Sequence, residues 1–155
     1  SIHPLEKEPS MRHALLPKLA RCMGAALCSA MACGPTWAAD TTAAQQLSYW
    51  SAQAGSAGNA DRGKTFFSSR HGGEWSCASC HGTPPTTQGK HASTGKSIAP
   101  LAPAFNPKVF TDTAKVDKWF RRNCNDVVAR ECSATEKADV LAYLNALKPP
   151  TSATP

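Results

Sequence analysis

The sequence predicts an all-α fold in one small domain, residues 39–155. Three segments carry the 3.6-residue apolar period of a helix, and the last begins at a helix-start signature, Ser133-Ala134-Thr135-Glu136. Residues 82–107 contain five prolines and show almost no periodicity, which predicts a long loop. Helices therefore supply the core, and a loop of that length in a small domain is expected to have a function.

Residues 1–38 are predicted to be an upstream extension followed by a secretory signal peptide. Basic residues follow Met11, a run of small apolar residues extends from Cys22 to Cys33, and small residues precede a cleavage point after Ala38 or Ala39. The apolar run is too short to span a bilayer, which takes about 20 residues. Acylation at Cys33 stays an alternative, although the leucine expected three residues before that cysteine is absent. We expect export to the periplasm, where disulfides persist.

Two helices are predicted before residue 71. The first, residues 45–54, turns Tyr49 and Trp50 inward. The second, residues 60–70, follows Asn59, a favourable N-cap, and ends at His-Gly-Gly. One face of this second helix holds Gly63, Phe66 and Phe67.

Residues 113–128 form the next predicted helix. With Val116 at 0° and a step of about 100° per residue, three further side chains fall within about 60° of it. These are Trp119, Phe120 and Asn123, while the basic residues Lys115, Lys118, Arg121 and Arg122 fall on the other side. The last helix follows Ser133, and its apolar face holds Val140, Leu141, Tyr143, Leu144 and Leu147.

The segment Cys77-Ala78-Ser79-Cys80-His81 carries the most specific chemistry. C-x-x-C-H is the attachment site of haem c: both thiols bond the haem covalently, and the histidine binds the iron. A zinc site would need about four ligands, and Cys124 and Cys132 have poor zinc-ribbon spacing. A thioredoxin-like motif would lie in a strand pattern, and none surrounds Cys77. The sequence therefore predicts one covalent haem c held by Cys77 and Cys80, with His81 as the proximal ligand.

The sixth iron ligand is not a methionine, because the three methionines all precede residue 32. His71 and His91 are histidine alternatives: His71 lies on the approach to the haem motif, and His91 lies in the loop. His91 suits either the iron or a haem propionate. Asn123 is the unusual candidate, because it shares an otherwise apolar helical face, where a buried amide is costly unless it is bonded.

Residues 118–125 read Lys-Trp-Phe-Arg-Arg-Asn-Cys-Asn. Together with Glu131-Cys132 and the haem motif, this run resembles the sphaeroides haem protein family over residues 61–147. The resemblance implies a class I cytochrome c fold around a covalent haem, in a protein that binds oxygen. Gly63 and Phe67 resemble the close-contact pair of that family's first helix. Tyr143 and Leu144 resemble their partners on the last helix.

The same resemblance implies a role for three further residues. An asparagine is the sixth ligand in that family, which by position is Asn123, and it is displaced when the iron is reduced and a diatomic gas binds. A disulfide near the ligand is also a family feature, here Cys124 with Cys132. The implied partner is a dihaem cytochrome c or a membrane cytochrome b.

Three functions are open at this point. The first is a periplasmic monohaem cytochrome that transfers electrons and binds O2 or NO at the reduced haem. The second is a plain electron carrier whose sixth ligand, His or Asn, never leaves. The third is the haem subunit of a small oxidoreductase such as a peroxidase, which needs a distal acid–base pair. Because Arg121 and Arg122 are predicted to face solvent, an electron carrier is favoured over an enzyme.

The charge predicts the kind of partner. The chain has a formal charge of +6, and its basic helical face suits an acidic redox protein through electrostatic steering. Nucleic acid is not expected as a partner in the periplasm, and the protein is expected to be a monomer.

Overall fold

The computed structural model describes residues 40–151, which form five helices and one short β-hairpin. The helices are α1 (Ala43–Ala54), α2 (Ala60–Ser68), α3 (Cys77–His81), α4 (Thr113–Val128) and α5 (Ala134–Ala146). The hairpin strands are β1 (Gly89–Lys90) and β2 (Ser97–Ile98), paired antiparallel with Gly89 opposite Ile98. The predicted all-α fold is confirmed. None of the helices within residues 40–151 is both long enough and apolar enough to cross a membrane.

The predicted signal peptide, its cleavage point at Ala38 or Ala39 and the alternative acylation site at Cys33 lie outside the described residues. The division into residues 1–38 and 39–155 therefore stays a prediction.

Polar caps set where the first two helices begin. The Thr42 side chain accepts a hydrogen bond from the Gln45 backbone N–H, and the Asn59 side chain accepts one from that of Arg62. The N-cap prediction for Asn59 is confirmed. The second helix is two residues shorter than predicted, because the backbone is already extended at Ser69. The inward placement of Tyr49 was wrong, since its side chain is 52 % exposed.

Helix α5 forms the centre of the core. Residues 137–144 are all buried, and α5 packs against both α1 and α2. Glycine at position 63 makes the α2 contact possible, because a Cβ there would overlap the Asp139 carbonyl oxygen and lie 3.0 Å from the Tyr143 Cβ. The predicted pairing of Gly63 with the last helix is thereby confirmed.

A buried carboxylate joins the same two helices. The Asp139 side chain accepts hydrogen bonds from the Asn59 backbone N–H and from Nε and Nη2 of Arg62, each at 2.7 Å. Three donors satisfy a charge that would otherwise be costly to bury. Nothing in the apolar period marks Asp139 as a core residue, and the sequence reasoning missed it.

The long loop contains structure that the sequence reasoning missed. The hairpin packs on α3 so closely that a Cβ on Gly89 would overlap the Cys80 carbonyl oxygen. Strands of two residues carry no detectable alternation, so periodicity gives no signal for them.

Helix α4 has the predicted boundaries, and α5 begins at the predicted residue but ends at Ala146, before Leu147, whose backbone is extended. Asp112 caps α4 by accepting from the Lys115 backbone N–H at 2.9 Å. The predicted capping box is present at α5: the Ser133 side chain accepts from the Glu136 N–H, and the Glu136 side chain accepts from the Ser133 N–H. Cys124 and Cys132 form a disulfide with a Cα–Cα distance of 5.6 Å, which fixes the end of α4 beside the start of α5.

Candidate functional site

A cavity of about 480 Å³ lies between α2, α3, the hairpin and α4. Its size falls in the range of about 300–1,000 Å³ that is usual for cofactor and ligand sites. The α3 residues Cys77, Cys80 and His81 line it, and so does Asn123 on α4. The cavity therefore brings all four residues of the predicted haem site together.

The short helix α3 presents its three functional side chains to the cavity. A capping box starts it: the Ser76 hydroxyl accepts from the Ser79 N–H at 3.1 Å, and the Ser79 hydroxyl accepts from the Ser76 N–H at 2.9 Å. Cys77 and Cys80 are three residues apart, so they lie on one face of this helix. His81 follows in the same turn, with its ring 6.2 Å from that of Phe67.

Burial fixes the protonation of these groups. It raises the pKa of the Cys77 thiol to about 11, and it lowers the pKa of His81. At neutral pH, Cys77 is therefore a thiol and His81 a neutral imidazole, which is the form that binds a metal. The buried Nδ1 of His81 has no hydrogen-bond partner within the described residues. Two thiols and a neutral histidine that line one largely apolar cavity fit a covalently attached haem.

The face of α4 that lines the cavity is broader than predicted. Asn123, Trp119 and Phe120 line it as expected, but so do Arg122 and Asp126. Asn123 is exposed and not buried as its apolar face predicted, because this face borders an open cavity.

Arg122 is exposed to solvent, as predicted, but it also borders the cavity, which was not predicted. Its guanidinium lies 5.7 Å from the centre of the Trp119 ring, and its Nε is 3.9 Å from an Asp126 carboxylate oxygen. Trp119 and Asp126 are the i−3 and i+4 neighbours of Arg122, so the three side chains share one side of the helix. The cavity-lining face therefore extends beyond the window of about 60° around Val116.

The two histidine alternatives occupy different places. His71 is absent from the cavity lining; its Nε2 is 2.8 Å from the Phe66 carbonyl oxygen, and its ring packs on the Phe66 ring at 4.3 Å. His91 does line the cavity. Its Nδ1 accepts a hydrogen bond from the Thr94 backbone N–H at 3.3 Å and lies 3.2 Å from the Ser93 hydroxyl.

The disulfide also borders the cavity. Cys124 and Cys132 both line it, and both are buried. Their sulfurs are bonded to each other, so neither is a thiolate available to a zinc ion together with Cys77 and Cys80. Among residues 40–151, no group of three or more His, Cys, Asp or Glu side chains is arranged to hold a metal ion.

Comparison with known proteins places the chain among c-type cytochromes. Residues 53–144 match the protein family described as "Domain of unknown function (DUF1924)". The chain is 48 % identical over 122 residues to "Cytochrome c-type protein SHP" of Cereibacter sphaeroides, covering 76 % of this chain and 94 % of that protein. It is 46 % identical over 93 residues to "Cytochrome c''" of Methylophilus methylotrophus, covering 57 % of this chain and 65 % of that one.

Solved structures give the same relatives. The oxidised form of SHP, described as an oxygen-binding cytochrome c, superposes with a TM-score of 0.65 at 46 % identity, covering 70 % of this chain and 99 % of that one. The crystal structure of oxidised cytochrome c'' from Methylophilus methylotrophus gives a TM-score of 0.61 at 39 % identity, covering 70 % and 97 %.

Proposed function

Because the chain belongs to the sphaeroides haem protein family and is a monohaem cytochrome c with covalently attached haem c, we propose that it transfers electrons and reversibly binds a diatomic gas, O2 or NO, when reduced. The observation that carries this proposal is the cavity bordered by both the C-x-x-C-H helix and Asn123. A relative solved in its oxidised form is described as an oxygen-binding cytochrome c, which supports the gas-binding part.

In this proposal each residue of the haem motif has one task. Cys77 and Cys80 hold the haem through thioether bonds, and His81 supplies the proximal nitrogen. When bound, haem c supplies a one-electron redox change and a coordination position for a gas. The protein sets the position of that group, the polarity around it and the ligand that competes with the gas.

We propose Asn123 as that competing ligand. Its amide oxygen is a hard and weak donor, which suits ferric iron and holds ferrous iron poorly. A methionine sulfur would stabilise the ferrous state, but the chain has no methionine beyond residue 31. Asn123 would therefore compete less strongly for the ferrous iron of a bound haem than for its ferric iron, which would leave a coordination position open to a diatomic gas.

The bonding of His91 argues against it as the sixth ligand. The backbone N–H of Thr94 can only donate a hydrogen bond, so Nδ1 of His91 must accept it with its lone pair. In the neutral ring the proton is then on Nε2, which leaves neither nitrogen with a free lone pair for iron. His91 would have to break this loop contact before it could bind the metal.

One observation favours the third function, a haem subunit of a small oxidoreductase. Peroxidase chemistry needs an acid–base group near the open iron, and Arg122 lines the cavity beside Asp126. Turnover of hydrogen peroxide with a reducing dye, lost in Arg122→Gln, would favour a small haem oxidoreductase over a carrier.

We also propose a periplasmic location and an acidic redox partner, a dihaem cytochrome c or a membrane cytochrome b. The predicted signal peptide and the Cys124–Cys132 disulfide support export to an oxidising compartment. Fractionation of the native host, with the haem protein found in the periplasm, would test the location.

The experiment that tests the ligand exchange compares three single variants on the same protein. Wild-type protein should be six-coordinate when ferric, and dithionite should convert it to a high-spin form that binds CO and O2. Asn123→Ala should keep the haem but change the ferric spectrum. Asn125→Ala is the matched control, since Asn125 is on the same helix, exposed and outside the cavity lining.

His91→Ala is the third variant and should leave the ferric spectrum unchanged. If His91→Ala shifts it while Asn123→Ala does not, the site is bis-histidine. If the reduced wild-type protein binds neither CO nor O2, the protein is a plain electron carrier.

A further inference from the structure

The β-hairpin is joined directly to the haem-binding helix. The Ala92 backbone N–H donates a hydrogen bond to Sγ of Cys80 at 3.2 Å. Position 89 has no room for a side chain against the Cys80 carbonyl oxygen, so β1 lies on α3 with no layer between them. The hairpin is therefore hydrogen-bonded directly to a haem-attachment sulfur.

The hairpin turn is held in one shape by its own hydrogen bonds. The His91 N–H donates to the Lys96 carbonyl oxygen at 2.8 Å, and the Gly95 N–H donates to the His91 carbonyl oxygen at 2.9 Å. The Thr94 N–H donates to Nδ1 of His91, and a Gln88–Ser97 side-chain hydrogen bond joins the residue before β1 to strand β2. A surface with little freedom to lose binds a partner at a lower entropic cost.

The charge around this hairpin has one sign. Residues 75–111 contain no Asp or Glu, whereas they contain Lys90, Lys96 and Lys108. All three lysines are exposed, and none forms an ion pair with any residue between 40 and 151. Lys90 and Lys96 lie on the hairpin itself.

The basic face of α4 is different, because acidic residues on the same helix partly neutralise it. Lys115 pairs with Asp112 at 2.9 Å, and Arg122 lies 3.9 Å from Asp126. Asp117 is also exposed on this helix. An approaching acidic protein therefore meets mixed charge at α4 and uniform positive charge at the hairpin.

We propose that the hairpin, residues 89–98, is the docking surface for an acidic one-electron redox protein. This rests on the proposed electron-transfer function, and it locates the partner on the hairpin rather than on α4. The partner gives one electron and is oxidised by one, and the cytochrome is reduced by one. No bond forms or breaks in the protein. Lys90 and Lys96 steer the partner, and the rigid turn sets it beside Cys80.

The test measures binding separately from electron transfer, with a flavodoxin as the acidic redox probe. The experiment compares two double variants. The hairpin variant carries Lys90→Glu and Lys96→Glu, and the α4 variant carries Lys118→Glu and Arg121→Glu. Both lower the formal charge by the same amount. None of the four residues lines the cavity. Unchanged haem spectra and unfolding midpoints check the site and the fold. At low ionic strength the hairpin double variant should raise the dissociation constant at least tenfold, and the α4 double variant should raise it less than twofold.

Amide shifts in nuclear magnetic resonance should map wild-type binding onto residues 89–98. A larger effect of the α4 pair, or equal effects of the two pairs, would overturn the proposal. Salt should remove most of the difference, since exposed charges are screened over about 10 Å at 0.1 M ionic strength. Reversible reduction at an electrode is measured separately, so failure of the electron-transfer function is distinguishable from failure of the docking site.

Discussion

The last two long helices are similar in length but bury their side chains differently. Helix α5 has 13 residues, of which the continuous stretch 137–144 is buried against α1 and α2. Helix α4 has 16 residues, of which only Val116 and Cys124 are buried. Most of the remaining apolar side chains of α4 line the cavity, with Trp119 49 % exposed. Helix α5 is therefore positioned by the protein, whereas α4 is shaped to face the haem.

Removing the haem attachment should produce the largest difference in stability between α4 and α5. In Cys77→Ala with Cys80→Ala, α4 loses the group that covers its apolar face, while the α2–α5 packing keeps its own contacts. We expect hydrogen exchange in α4 to rise more than 100-fold, and in α5 by much less. Mass spectrometry should show no haem adduct on this variant and one on the wild type.

The matched control is Ala78→Ser, which changes the same helix but keeps both attachment thiols. It should retain the haem and normal exchange. Equal acceleration in α4 and α5 of the double variant would show that the two helices depend on the haem to the same degree, and the contrast between them would be wrong.

The next change breaks the α5 side. Gly63→Ala places a methyl group against the Asp139 carbonyl oxygen and the Tyr143 Cβ. Such overpacking should lower the free energy of unfolding by about 3 kcal/mol, measured by urea denaturation. Gly73→Ala is the control, because a Cβ there comes no nearer than 3.5 Å to any atom outside its chain neighbours. If both variants unfolded at the wild-type urea concentration, the contact between α2 and α5 at Gly63 would be less tight than described.

The comparison also shows how far sequence reasoning reaches. The apolar period marks α4 clearly, because only one side of that helix is apolar. It marks α5 less clearly, because the whole stretch 137–144 is buried, and the capping signature at Ser133 is the better signal there. The N-cap at Asn59 was readable from the same kind of local signal. Asp112 carried a similar signal, an N-cap residue directly before Thr113, and it was missed.

The features that sequence reasoning missed have different causes. Asp139 is buried because Arg62 and Asn59, distant in sequence, bond to it. The hairpin strands have two residues each, which is too short for an alternating pattern to show. Within the site, Cys77, Cys80, His81 and Asn123 were readable from motif and resemblance. Arg122 at the cavity was not, because it lies outside the window of about 60° around Val116 that defined the predicted face.

The disulfide links the two helices, so removing it tests whether α5 holds the cavity end of α4. Cys124→Ser with Cys132→Ser opens a short loop, which should cost roughly 2–3 kcal/mol of unfolding free energy. Because Cys124 follows Asn123 directly, the ferric spectrum should also move toward a high-spin form. A stability loss with an unchanged ferric spectrum would reduce the disulfide to a stability role.

The smallest expected effect concerns the start of α5, which is fixed without the haem. Hydrogen bonds from Arg130 at 2.7 and 2.8 Å, with the Ser133 N–H, hold the pKa of Glu136 at about 2. A folded-state pKa below the ordinary 4.5 means that the ionised form stabilises the fold. The contribution is present above about pH 4.5 and is lost as the pH falls toward 2. Because Arg130 is largely exposed, its size should be about 1 kcal/mol or less.

Glu136→Gln should therefore lower the free energy of unfolding at pH 7 by up to about 1 kcal/mol and leave it unchanged near pH 2. Urea denaturation across this pH range measures the difference. Glu74→Gln removes an exposed carboxylate that forms no ion pair within residues 40–151, and it should follow the wild-type curve throughout. Because this anchor lies at the α5 terminus and outside the cavity lining, the ferric spectrum of Glu136→Gln should stay unchanged. A spectral shift would mean that the start of α5 helps to position α4 at the haem, and the two helices would then be less independent than their burial indicates.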